Sequence, residues 1–199
     1  MKRPDRRLFL LSGAALALGS LPALAGTKRH FNFTSALGGA STRRSTYRGK
    51  RIVPYSGGRP GEIVIKTRER ALYYILPGGK AIRYGVGVGR AGFTWSGNAY
   101  IGRKAKWPAW RPPAEMIARE LKQYGRRLPD VMEGGPRNPL GARALYLYQG
   151  KRDTMYRIHG TNAPQTIGRA VSSGCIRMLN EEVIDLYNRV KPGTRVKVL

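Results

Sequence analysis

Cys175 and His159 are the side chains of this sequence best suited to covalent chemistry. They stand sixteen residues apart, in Tyr156-Arg157-Ile158-His159-Gly160-Thr161-Asn162 and Ser172-Ser173-Gly174-Cys175-Ile176-Arg177-Met178. A thiol titrates at about 8.5 and attacks as the thiolate, so a nucleophilic cysteine needs a base or a cation beside it. Cys175 is the only cysteine, and the chain has two histidines, of which His30 falls in a stretch without periodicity. His159 is therefore the base of suitable pKa. The segment between them holds Pro164, Gly168 and Gly174 and can fold back to bring imidazole and thiol together. Gly174 permits close approach of the backbone, and amides around Cys175 can point at a developing oxyanion. Arg177 returns to the face of Cys175 in an extended segment, where it would lower the thiol pKa or hold a substrate carboxylate. The plain alternatives are a cysteine buried as a small hydrophobe and an arginine in solvent.

The elements that must position these residues read as mainly β. Short β-branched and aromatic runs at 62–67, 71–76 and 81–88 are separated by hairpin-length connections and predict a three-stranded antiparallel meander. A further strand is expected near Asn98–Gly102, then an insertion at about 103–139. In it Pro112-Pro113-Ala114-Glu115 opens a helix, with Ile117, Leu121 and Tyr124 on one face and Gly125 as its stop, packed beside the sheet. Trp107 and Trp110 there could be partial core, stack on sugars, or line a lid. Strands resume at 143–148 and 155–159. A helix over 180–190 is expected, with Asn180 as N-cap and Val183, Ile184, Leu186, Tyr187 and Val190 in register, before an alternating strand at 194–198. The fold class is α+β, with a mixed sheet and one or two helices.

Paired arginines in Asp5-Arg6-Arg7-Leu8-Phe9-Leu10, an interrupted apolar run to Leu24, and Ala23-Leu24-Ala25-Gly26 resemble a twin-arginine export signal cleaved after Ala25. The run falls short of the roughly 20 apolar residues of a spanning helix, so no transmembrane segment is expected after cleavage. Residues 26–60 read as a basic flexible linker and 61–199 as one domain. With 37 Lys+Arg against 11 Asp+Glu, the net charge of +26 implies an anionic partner. In the envelope that partner is a cell-wall polymer or a lipid surface. The basic residues are dispersed and no nucleic-acid-binding motif appears, so nucleic acid is not expected. One cysteine and two histidines form no metal-ligand cluster, and no metal or cofactor is expected. Gly85-Val86-Gly87-Val88-Gly89 matches only fragments of a phosphate-binding fingerprint and is better explained by hairpin strain or a close contact.

His159-Gly160-Thr161-Asn162 followed by Ser172-Ser173-Gly174-Cys175-Ile176-Arg177-Met178 closely resembles the signature of the L,D-transpeptidase catalytic (YkuD-type) domain, over about 61–199. The resemblance implies a β-sandwich-like, mixed-sheet domain in the periplasm or cell envelope. It implies Cys175 as nucleophile, His159 as base and general acid, and the Gly160 carbonyl orienting His159. Gly174 and Cys175 would supply backbone N–H groups to the oxyanion. Substrate contacts would fall to Arg177, Ser173, Thr161 and Asn162. Many members carry a second histidine directly before the Gly-Cys pair. Here that position is Ser173, which donates a hydrogen bond but carries no charge at neutral pH.

The activity so implied is acyl transfer between peptidoglycan stem peptides through a Cys175 thioester, giving 3-3 cross-links. Hydrolysis (an L,D-carboxypeptidase) and lipoprotein anchoring use the same acyl-enzyme. Carbapenem-type β-lactams would acylate Cys175. The reading from another class is a non-catalytic cationic wall-binding module, against which Cys175, His159 and Arg177 together argue.

Overall fold

The structure is a computed structural model that describes residues 49–199. Residues 1–25, expected as the signal, and His30 lie outside the described residues. The expected meander is present. Strands β2 (Ile63–Lys66), β3 (Ala71–Leu76) and β4 (Lys80–Gly85) pair antiparallel in sequence order. Segment 51–54, within the stretch read as linker, departs from that expectation. It forms β1 (Arg51–Pro54), which pairs antiparallel with β4. Its Val53 and the following Tyr55 pack on Val64, Ala71, Tyr73, Ile75 and Ala81. Sparse periodicity hid this strand, because only one of its side chains is drawn into that cluster.

One nine-stranded mixed sheet runs β1-β4-β3-β2-β11-β6-β7-β8-β10. Its remaining members are β6 (Gly97–Lys106), β7 (Arg143–Gln149), β8 (Arg152–His159), β10 (Ile176–Arg177) and β11 (Arg195–Val198). The C-terminal strand β11 is central, parallel to β2 and antiparallel to β6. Its alternation is visible in burial, with Val196 and Val198 inside and Arg195 and Lys197 outside. A second, parallel pair joins β5 (Val88–Gly89) to β9 (Ala170–Ser172).

The main core combines Ile63, Ile65, Leu72, Tyr84, Ile101, Leu145, Leu147 and Ile158 from the sheet with Met178, Val183, Leu186 and Val190. Val183, Leu186 and Val190 come from helix α2 (Asn180–Arg189) and its C-cap, on the face the periodicity foretold. Full burial of each such aliphatic side chain stabilises the domain by about 1.5–3 kcal/mol. Lys104 Nζ on β6 donates to the Tyr187 and Val190 carbonyls, satisfying the C-terminal end of α2 with a cation where the helix dipole favours one.

Strand β6 continues to Lys106, so the insertion begins later than expected. Helix α1 (Ala114–Tyr124) lies within it and stops as expected at Gly125, whose φ of 62° is left-handed and whose N–H bonds the Leu121 carbonyl. Its expected apolar face is not buried. Leu121 and Tyr124 are exposed, and the buried residue of the helix is Glu120. The insertion turns Trp110, Pro113 and Met116 toward a cleft instead of laying its stripe on the core.

Candidate active site

Strand β8 ends on buried His159, and β10 runs parallel to it with Ile176 opposite Ile158 and Arg177 opposite His159. Register partners in a sheet share a face, and Cys175 immediately precedes β10. The connection returns through a short 3-10 turn (Pro164–Thr166) and β9, as the glycines and proline in it foretold. Cys175, His159, Arg177 and Ser173 thus line one cleft of about 280 Å³. Ser172, Thr154, Met155 and Tyr156 line it too, with Trp110, Pro113 and Met116 of the insertion and Pro139 and Leu140 beside them.

His159 Nδ1 lies 2.6 Å from the Gly160 carbonyl oxygen. A carbonyl only accepts, so the neutral ring carries its proton on Nδ1 and leaves Nε2 with a lone pair. Burial, with the Arg177 charge second, pulls the His159 pKa down to about 3. The imidazole is therefore neutral in the free protein at any ordinary pH.

A residue that was read otherwise holds this arrangement from behind. Asn180 does not cap α2; Leu179 stands at the N-cap and no side chain bonds there. Asn180 Oδ1 instead accepts the Ala142 N–H at 3.0 Å and the Thr161 N–H at 3.1 Å. It fits because Gly141 and Gly160 have no side chain: a Cβ on either would come within 2.2 Å of that oxygen. The Gly160 carbonyl that fixes the imidazole is part of this clamp. An Asn at a helix start reads as a cap, so the sequence offered no signal for the other role.

Cys175 Sγ lies 4.0 Å from the Met155 carbonyl. Burial pushes the thiol up, opposed by the Arg157 backbone N–H and the charges of Arg157 and Arg177. Gly174 has φ 111°, and a Cβ there would meet Tyr156 Cε1 at 2.6 Å. Its N–H, expected as an oxyanion donor, has a partner within the turn. It bonds Ser172 Oγ at 3.2 Å, while that hydroxyl donates to the Cys175 carbonyl at 2.6 Å. Ser172 thus shapes the turn before Cys175 and accepts from the N–H expected to be open. The Cys175 N–H lies outside the β8–β10 ladder.

Arg177 is only 8% exposed, and its Nη1 is buried without a hydrogen-bond partner. Its backbone exchanges two bonds with Gly87, at 2.8 and 2.9 Å. That pairing, together with Gly89, whose Cβ would stand 3.1 Å from Gly174 Cα, accounts for Gly87 and Gly89 in the glycine run: they let β5 lie against the Gly174–Arg177 segment. Thr161 and Asn162 are not brought into the cleft. Thr161 Oγ1 accepts the Ala163 N–H, and Asn162 Nδ2 donates to the Arg137 carbonyl. Both tie loops behind the histidine. Of the two tryptophans, Trp110 lines the cleft and Trp107 is exposed away from it. Among the described residues, no group of three or more His, Cys, Asp or Glu is placed to hold a metal ion.

A parallel sheet edge thus brings Cys175, His159 and a buried Arg177 to one cleft. Residues 60–198 match the L,D-transpeptidase catalytic domain family, and the chain belongs to it. It is 39% identical over 142 residues to the probable L,D-transpeptidase YbiS of Escherichia coli, covering 69% of this chain and 44% of that protein. The chain thus spans less than half the length of that curated relative. A solved structure from Brucella melitensis, named a probable carnitine operon oxidoreductase, is 50% identical with a TM-score of 0.51, over 75% of this chain and 92% of that one. L,D-transpeptidase 3 of Mycobacterium tuberculosis, solved with a faropenem-derived adduct, shares the fold at 16% identity and TM-score 0.51, over 71% of this chain and 60% of that one. Among the described residues no helix is long and apolar enough to cross a membrane.

Proposed function

We propose that the protein is a cysteine-dependent L,D-transpeptidase of the cell envelope that cross-links peptidoglycan stem peptides. The observation that carries this reading is a neutral His159, fixed through Nδ1 by Gly160, sharing one cleft with the chain's only cysteine. In the donor stem, Nε2 takes the thiol proton as Sγ attacks the carbonyl of the third residue, an L-centred diamino acid. The Cys175 N–H meets the developing oxyanion. Collapse breaks the peptide bond, and the leaving D-alanine nitrogen takes the proton back from His159. An amine of a neighbouring stem then attacks the thioester, gives its proton to His159 and thence to sulfur, and forms the 3-3 link. No external energy source is required, because the thioester conserves the energy of the bond it replaced.

Arg177, which lines the cleft and keeps a buried Nη1 without a partner, suits the terminal carboxylate of the donor, and Ser173 adds a hydroxyl at the same wall. Residues 1–25 act as a twin-arginine signal that delivers the chain to the periplasm. Carbapenem-type β-lactams acylate Cys175, a reading supported by the faropenem-derived adduct on the Mycobacterium tuberculosis protein.

The test is to incubate the purified protein with disaccharide-tetrapeptide and separate the products. Dimers linked through third-position residues are expected. Tripeptide alone identifies water as the acceptor, and an unchanged substrate contradicts the proposal.

A further inference from the structure

A second groove, of about 910 Å³, crosses β2, β11, β6 and β7 and shares no lining residue with the catalytic cleft. Its floor carries one row set by register: Arg195 of β11 stands opposite Tyr100 of β6, and Tyr100 opposite Tyr148 of β7. Lys197, two residues from Arg195, extends the row on the same exposed face.

The two rings are fixed in place. Tyr100 Oη donates to the Gly150 carbonyl at 2.5 Å, and the rings lie 6.1 Å apart. The Tyr148 ring packs against Gly102, where a Cβ would meet its Cδ2 at 2.3 Å, and it lines the groove beside Tyr100. Charge supplies the second feature. Arg59, Arg195 and Lys197 line the groove against one acid, Glu62. Glu62 is already engaged by the Arg59 N–H and the Arg195 guanidinium, at 3.0 and 3.6 Å. The Arg59 and Lys197 side chains have no acidic partner among the described residues.

We infer that this groove binds an acidic glycan strand, with the tyrosine faces stacking on sugar rings and Arg59, Arg195 and Lys197 meeting carboxylates along the polymer. Flat aromatic faces suit the apolar face of a pyranose, and the net charge of +23 that residues 26–199 carry, +26 less the +3 of residues 1–25, draws the polyanion in. The groove would hold the polymer while the cleft works on its stems, so the inference rests on the proposed function for its choice of polymer.

The test uses the full chain carrying Cys175→Ala, so that binding is read without turnover, and cosedimentation with polymeric peptidoglycan. The variant Arg59→Ser/Arg195→Ser/Lys197→Ser should weaken binding by roughly tenfold or more. Tyr148→Leu, which still covers Gly102, should weaken it by roughly three- to tenfold. In otherwise wild-type protein, both variants should keep turnover of a soluble disaccharide-tetrapeptide. Neutral chito-oligosaccharide should compete in the parent and not in Tyr148→Leu. Unchanged polymer binding in the triple variant overturns the inference. So does competition by polyglutamate alone with no effect of Tyr148→Leu, which would reduce the groove to a charged surface. Loss of soluble-substrate turnover in the parent would instead count against the proposed function.

Discussion

Arg177 and His159 stand opposite one another in the parallel β8–β10 ladder, both buried, and the guanidinium keeps one nitrogen without an acceptor. Burial disfavours imidazolium and the Arg177 charge disfavours it further, so the His159 ring is kept neutral.

That pairing predicts an unusual pH profile. In the free enzyme His159 accepts a proton only near pH 3, so kcat/KM should show no acid limb near 6.5, the ordinary histidine value. Arg177→Gln should move any limb upward and raise KM for donors with a free carboxylate by roughly 10–100-fold, the scale of a lost charge-assisted hydrogen bond. A limb near 6.5 in the parent, or an unaltered KM in the variant, contradicts the assignment.

Stability should follow the same group. The folded pKa of His159 lies below its unfolded value, so between about 3 and 6.5 the unfolded chain binds the extra proton. The stability this group contributes is complete above about 6.5 and is lost as pH falls toward 3. Asp185, whose carboxyl Arg189 and Tyr84 hold below the usual range of 3.8, loses its contribution only at lower pH. Urea unfolding should therefore give a lower free energy at pH 5 than at pH 7, and His159→Gln should flatten that difference. A pH-independent parent contradicts the buried, neutral histidine.

The thiol gives the complementary prediction. With burial raising Cys175, alkylation by iodoacetamide in the absence of substrate should rise with pH through a midpoint above that of an ordinary thiol. A midpoint near neutrality would instead mean a preformed thiolate–imidazolium pair.

Asn180→Ala removes the acceptor of two backbone N–H groups and should cost about 1–3 kcal/mol of stability. Asn180→Asp keeps an acceptor of the same shape and should recover most of the loss. Because Asn180 acts through Gly160 on His159, the Ala variant should also displace the pH profile of kcat. Stability lost with an unmoved profile would leave Asn180 a purely structural clamp.

The parts of the fold that follow from local periodicity were legible: the meander, the alternation of β11, the buried face of α2 and the glycine stop of α1. That Cys175 and His159 would share one cleft was legible as well, since only one cysteine and one histidine stood in a strand–loop–strand context. What was not legible depends on the register of distant segments. The stripe Ile117, Leu121 and Tyr124 has helical spacing, but the insertion has no core beneath that face. Asn180 looks like a cap until Gly141 and Gly160 are folded against it. The Gly174 amide looks free until Ser172 Oγ is placed 3.2 Å from it, and β1 is invisible without β4 beside it.

The most direct measurement is intact-protein mass spectrometry of the full chain mixed with disaccharide-tetrapeptide, in parent and Cys175→Ala. The parent should gain the mass of the donor less D-alanine, mapped to Cys175 and discharged by added amine. The variant should show neither adduct nor product. Cross-linked product from Cys175→Ala, or product from the parent with its adduct on another residue, would contradict the account.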